Sequence, residues 1–209
     1  MRINVPPTRN ALLQLQAQLA FLRSGHDLLE RKRELLTRMV RGQLAQYRTL
    51  RGEAARQVKA AYRWLAVTHM RMGARMLQQA ALGMSPALEV KILPRSNLGV
   101  EYPSVRVSPL PLQPVSLMWS DSSFDRARRH LTEMAALLAR LGEAEIALRR
   151  MLHEQRKTQK RVNALKYNII PRYEESIRFI EEALAEEERN TLFQVRRLME
   201  REEAGERDA

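Results

Sequence analysis

The chain has 209 residues, of which 44% are hydrophobic and 29% charged but only 5% aromatic, with 8 glycines and 9 prolines. So few turn residues beside recurring Leu, Ala, Arg and Glu point to long helices or coiled coil and away from a β-sandwich. The absence of cysteine excludes disulfides, thiolate catalysis and Cys-ligated zinc. The net charge of +12 points to nucleic acid or an anionic surface as partner, or equally to a solvated helix surface rich in Arg. No apolar run reaches the ~18 residues of a membrane span and none resembles a signal-peptide core, so the expectation is a soluble, cytoplasmic chain without a transmembrane segment.

In chain order, residues 1–7 read as an N-terminal tail ending in Pro6-Pro7, and no proline follows until Pro86. Thr8 is a candidate N-cap for a helix over 8–82. Leu12, Leu15, Leu19 and Leu22 step by three and four, and Leu29, Leu36 and Val40 continue the stripe. A helix of that length would be a rod of roughly 110 Å, which needs a partner of similar length. Gly25, inside it, is expected to allow close helix approach. Residues 83–120 change period. Leu88, Val90 and Ile92 alternate with charged residues, Pro94 to Gly99 supply turn residues, and Val100, Tyr102, Val105 and Val107 return as a second strand. This predicts a small β-hairpin capping one end of the rod, made irregular or an edge by Pro103, then a Pro-rich connector.

Residues 121–200 supply the partner helix. Phe124, Ala127, Leu131, Met134 and Leu138 open its stripe, and Val162, Leu165, Ile169, Ile177, Ile180 and Leu184 resume it. Glu145, Gln155 and Gln159 interrupt the pattern and predict weak packing there. Pro171, without an amide donor, predicts a kink. Residues 201–209 read as a charged tail. The fold class is therefore all-α, a long antiparallel two-helix coiled coil from the N- and C-terminal segments with a small mid-chain β-hairpin module. The charge divides unevenly: residues 8–82 hold 14 basic against 4 acidic residues, whereas residues 121–209 hold 18 of each.

Enzymatic motifs are missing. There is no phosphate loop, dinucleotide fingerprint, HExxH or GxSxG. His26, His69, His130 and His153 are scattered, His26 at the edge of the apolar stripe. Neighbouring carboxylates such as Glu174-Glu175 lie on an Arg-interspersed helix surface rather than in a cleft that would serve acid/base chemistry. No catalytic, cofactor or metal site is expected. Two basic clusters, Arg31-Lys32-Arg33 with Arg38 and Arg41, and Arg156 to Arg161, could neutralise phosphates, yet few aromatics accompany them for base stacking. A basic coiled-coil scaffold or nucleic-acid-binding protein is the alternative reading.

Two blocks carry more than composition. Near the start stand Pro7-Thr8-Arg9 and then Gly25-His26-Asp27-Leu28-Leu29-Glu30-Arg31-Lys32-Arg33-Glu34-Leu35. Near the end stand Arg161-Val162-Asn163-Ala164-Leu165, Pro171, and the run Ile177 to Arg189. In order and separation they resemble the D subunit, the central-stalk component of rotary V-type and A-type ATPases. Glu30, Glu34 and Lys166 depart from that family's pattern, and the middle region matches it only in character.

The resemblance implies a non-catalytic rotor shaft whose terminal ends enter a hexamer of A and B subunits, with ATP chemistry in the A subunits. It implies that the lower shaft binds the small F subunit and the C (d) subunit, which links to the membrane ring, so that the chain is peripheral to the cytoplasmic face. Under it, Pro7, Thr8 and Arg9 contact the hexamer's inner sleeve, and Arg31, Arg33 and Arg161 are candidates for partner salt bridges. Asn163 is expected at the helix seam or against a partner, and Pro171 to bend the shaft.

Overall fold

The computed structural model describes residues 5–113 and 120–207. Among them the elements run α1 (Arg9–Leu82), β1 (Leu88–Asn97), β2 (Val100–Pro109), α2 (Ser122–Ala164), a π-helical segment (Leu165–Ile169) and α3 (Ile170–Arg207). The fold class read from the sequence is the observed one, helices from the two ends of the chain with a hairpin between. Residues 1–4 of the N-terminal tail, 114–119 of the connector, and the last two residues of the charged tail lie outside the described residues. Helix α3 runs on to Arg207 instead of stopping near residue 200, because the Arg, Glu and Ala of that stretch are good helix formers.

The first turn of α1 follows from its cap. Thr8 Oγ1 accepts the Ala11 amide at 3.2 Å and the Thr8 carbonyl accepts the Leu12 amide at 3.0 Å, satisfying donors that have no intrahelical partner. The continuous helix expected over 8–82 is interrupted at Gly73, which adopts φ 73° and ψ 161°. Only glycine occupies that region freely, and no proline marked the break in advance.

Pro171, where the sequence leads to a kink, is the second residue of α3. A proline there cannot donate, and its ring presses on the carbonyl four residues back. The turn before it is widened: Leu165–Ile169 is π-helical, and the Ile170 amide bonds to the Leu165 carbonyl, five residues back.

The chain divides into two compact units, one built from Met1–Arg33 and Lys157–Ala209, the other from Glu34–Arg156. In the first, Leu15 and Leu19 of α1 bury against Ile177 and Ile180 of α3, with Leu12, Ile170, Tyr173 and Leu184 around them. In the second, Leu36 and Val40 meet Ala147, Leu148 and Met151 of α2. Leu36 and Met151 are both 0% exposed, and burial on that scale stabilises by about 1.5–3 kcal/mol per side chain. The weak packing expected around Glu145 to Gln159 is therefore not observed within this unit. Gln155 turns inward to donate to Thr37 Oγ1 at 3.0 Å, and Met151 fills the seam one turn away.

The hairpin is longer and tighter than the sequence suggests. Residues 94–97 continue β1, and the turn shrinks to Leu98-Gly99, at φ 51° and φ 76°. Two successive positive φ angles fit the twist of a two-residue hairpin loop. Pro94 and Pro103 face each other across the ladder. Counting from the hydrogen-bonded Asn97–Val100 pair that closes the turn, they fall on a non-hydrogen-bonded pair, so their missing amides remove nothing from the ladder.

Nor does the hairpin cap a helix end. Val100 and Tyr102, 6% and 8% exposed, pack into the Leu36–Met151 core. Glu143 Oε2 accepts the Val105 amide at 3.0 Å, and Arg150 donates to the Glu101 carbonyl at 2.7 Å. Ten residues of strand span roughly 33 Å, so the ribbon lies lengthwise along α2.

Candidate partner-binding surface

A ladder of polar rungs fixes the register of the first unit. Arg9 pairs with Glu188, Gln16 Nε2 donates to Glu181 at 3.3 Å, and Arg23 pairs with Glu174 at 2.6 Å. Each rung lies seven residues from the next on both helices, so the same helix faces meet at every step. The basic front of α1 thus finds the acidic stretch of α3 within the molecule. These pairs are exposed, Arg9 at 78% and Glu188 at 60%, so each is worth at most about 1 kcal/mol. Their work is orientation.

The ladder changes step at the next rung. Arg33 donates to Gln159 Oε1 at 2.9 Å, ten residues beyond Arg23 on α1 but fifteen before Glu174 on the other strand. The π segment lies within those fifteen residues and takes up one extra residue, and the long Arg33 and Gln159 side chains span the remainder. Here α1 is regular α-helix and its partner carries the π-helical segment, so the two sides of this unit are chemically and geometrically unlike. On the α1 side, His26 Nε2 and Glu30 Oε2 are buried without a hydrogen-bond partner among the described residues, an expensive arrangement for polar atoms.

The sequence-predicted residues separate into three groups. Pro7, Thr8 and Arg9 come together with Leu184, Glu188 and Thr191 around a notch of about 680 Å³ at the start of α1. Arg33 and Asn163 are joined through Gln159, whose Nε2 donates to Asn163 Oδ1 at 2.8 Å. Arg33 also pairs with Glu30. Asn163 is exposed, and Val162, 3% exposed, is the seam residue, so of the two places expected for Asn163 the seam is excluded. Arg31, Arg161 and Pro171 are exposed and belong to neither of these two clusters.

Gly25 does not serve close helix approach: a Cβ placed there would meet no atom within 4 Å. Reading the sequence missed Gln159 and Gln155 as rungs. Their spacing four residues apart, breaking an apolar stripe, was the available signal.

At the far end of α2, Asp121 caps the helix. Its Oδ2 accepts the Ser123 hydroxyl at 2.6 Å and Arg71 Nη1 at 3.0 Å. The Ser123 hydroxyl first, and Arg71 second, hold its carboxyl down at about 2. Nearby Trp64 stacks on His130 at 6.3 Å, and Arg126 lies 5.0 Å from the Trp64 ring centre. Among the described residues no group of three or more His, Asp or Glu could hold a metal ion, and no described helix is long and apolar enough to cross a membrane.

The family model for the D subunit of ATP synthase matches residues 11–200. The chain belongs to the ATP synthase D-subunit family. Among members of that family it is similar to the V-type ATP synthase D subunit of Thermotoga neapolitana, 34% identical over 95% of this chain and 98% of the relative. It is also similar to the A-type ATP synthase D subunits of Pyrococcus furiosus, at 32% identity, and of Pyrococcus horikoshii, at 34%, each over 94% of both chains. The likeness to these D subunits therefore spans both helical arms and the hairpin between them.

Proposed function

We propose that the chain is the central rotor shaft of a V/A-type ATPase or ATP synthase, a non-catalytic subunit that couples ATP hydrolysis or synthesis in an A/B hexamer to ion translocation. The observation that carries this reading is membership of the D-subunit family over nearly the whole chain. The antiparallel helix pair supplies a fitting mechanism. A shaft that passes through a ring of three similar catalytic sites must present a different face to each, and differential contact shifts each site toward a different nucleotide affinity. The step in the polar ladder and the π segment on one helix only give this chain unlike faces.

In this reading the termini enter the hexamer. Pro7, Thr8 and Arg9 contact its inner sleeve, Arg31 and Arg161 offer charge to partners, and Arg33 and Asn163 hold the local register through Gln159. The small F subunit and the C (d) subunit take the other end, and the complex sits on the cytoplasmic face of a membrane.

The test is reconstitution with the A and B subunits, with a bead attached to the exposed end of this chain. ATP-driven, unidirectional rotation of the bead is expected. A hexamer that hydrolyses ATP at full rate while the bound chain stays still would refute the rotor reading. The scaffold or nucleic-acid alternative predicts instead a salt-dependent affinity for DNA or RNA whose log-log slope counts several phosphates.

A further inference from the structure

Within the Glu34–Arg156 unit, the last third of α1 carries a feature that helix pairing does not need. At Gly73 the chain adopts a glycine-only conformation. The residues on either side of the break diverge around an open apolar groove of about 590 Å³. Leu65 lines it from before the break and Leu77 from after it. Met84 and Leu88, and Phe124 and Leu131 of α2, complete the apolar lining. Grooves of this size and polarity are where proteins take ligands and partner side chains.

Along the α1 wall of the groove the charge has one sign, while the α2 side contributes Asp121, which holds Arg71, together with Asp125 and Glu133. From residue 54 to residue 88 the chain holds Arg56, Lys59, Arg63, Arg71 and Arg75 and no Asp or Glu. The lining itself includes Arg128 and His69 and no carboxylate. Arg128 is only 7% exposed and is held by the Gln113 carbonyl at 2.6 Å, so its charge is fixed at the groove wall. Arg75 is exposed between the lining residues Ala74 and Leu77. Met84 adds a flexible apolar side chain to the lining. Unbranched thioether side chains adapt to helical partners better than branched ones.

We propose that this groove is a docking site for an acidic amphipathic helix from a neighbouring subunit. Leucine-like side chains spaced three and four apart would enter the space between Leu65, Leu77 and Leu131, the helix-in-groove mode of recognition. Carboxylates on the flanks of the same helix would face Arg75 and Arg128. A nucleic acid fits poorly, because the groove offers an apolar lining where phosphates would need converging cations. Gly73 is then a positioning residue, since it sets the divergence that opens the groove. The origin of the helix in a neighbouring subunit rests on the rotor reading, but the preference for an acidic amphipathic helix does not.

The probes are two labelled amphipathic peptides of equal length with the same leucine face, one carrying glutamate and the other lysine on the polar face. Each is titrated against the full chain by fluorescence anisotropy at physiological salt. The glutamate peptide should bind at least about tenfold more tightly, through both steering and contact. Gln78→Glu and Ala135→Glu, at exposed lining positions, should each weaken it by about three- to tenfold while leaving the thermal melt unchanged. Equal affinity for the two peptides, or full affinity in both variants, overturns the proposal. A bead that fails to rotate while the peptide preference persists overturns only the source assigned to the helix.

Discussion

Four glycines, Gly25, Gly42, Gly52 and Gly142, lie inside the long helices, and a Cβ built at any of them meets nothing within 4 Å. None has a positive φ. Replacing each by alanine therefore adds no clash and removes backbone freedom from the unfolded chain. Helix propensity puts the gain at about 0.8–1.0 kcal/mol per site. Gly42 and Gly52 are about 15 Å apart along α1, and Gly142 faces this stretch from α2 with nothing within 4 Å of its Cβ position, so no pair shares a packing partner. The quadruple variant should thus gain about 3–4 kcal/mol. For a chain of this size each kcal/mol raises the melting midpoint by about 2–4 °C, which gives about 6–16 °C in all.

The assay is thermal unfolding of the purified chain by circular dichroism, with the single variants alongside. Unchanged or lowered midpoints would refute the reasoning, since they would mean that neighbours occupy space that is open in the structure. The same set also bears on assembly. A quadruple variant that is more stable alone but no longer joins the A/B hexamer would identify these bare positions as places where a partner's backbone comes close.

The remaining expectations concern single residues. Gly73→Ala should behave oppositely to the other glycines and lower stability by about 1–3 kcal/mol, because alanine cannot take that backbone conformation without strain; a midpoint equal to the parent's would contradict it. Leu36→Ala and Met151→Ala, each removing a fully buried side chain, should cost about 2–5 kcal/mol apiece, and equilibrium urea unfolding would show this as a shifted midpoint at constant slope. Asp121 has its folded pKa depressed to about 2 from 3.8, so its charge stabilises the cap at pH values above the unfolded pKa and loses that effect as pH falls through the folded one. The stability advantage of the parent over Asp121→Asn should accordingly be constant near neutrality and shrink as pH drops from about 4 toward 2; an advantage that stays constant down to pH 2 would count against it.

How much of this could be read beforehand depended on which physical signal a residue leaves in the sequence. The stripes from Leu12 to Leu36 and from Ile169 to Leu184 repeat at the helical period, and they placed both arms and their antiparallel pairing. Thr8 was legible because a hydroxyl after two prolines has an evident use at a helix start. The alternation in 88–107 gave the hairpin but not its length, because prolines suggest loops and only the pairing register shows that Pro94 and Pro103 sit where no ladder bond is needed. Gly73 was silent, since a glycine inside a helical pattern reads the same whether or not its φ turns positive. Asn163 left two places open for a related reason: one residue of rotation separates a seam position from an exposed one, and Val162 took the seam. Partner surfaces left the faintest trace, because exposed arginines such as Arg31 and Arg161 look alike whether they meet another protein or water.

The pairing of distant segments also governs how the chain is made. Leu36 packs against Met151, so that seam cannot close until well over a hundred residues have followed it from the ribosome. At synthesis rates of about 5–20 residues per second, this leaves the leucine stripe of α1 uncovered for roughly 6–23 s. Arg9 waits longest, because Glu188 lies 179 residues downstream. The segment made first is therefore the last to be paired, and contacts so remote in sequence form slowly even when the helices themselves are quick to coil. Such a chain spends its early life as an isolated amphipathic helix with one greasy side, the state in which holding factors and early encounter with other newly made subunits matter most.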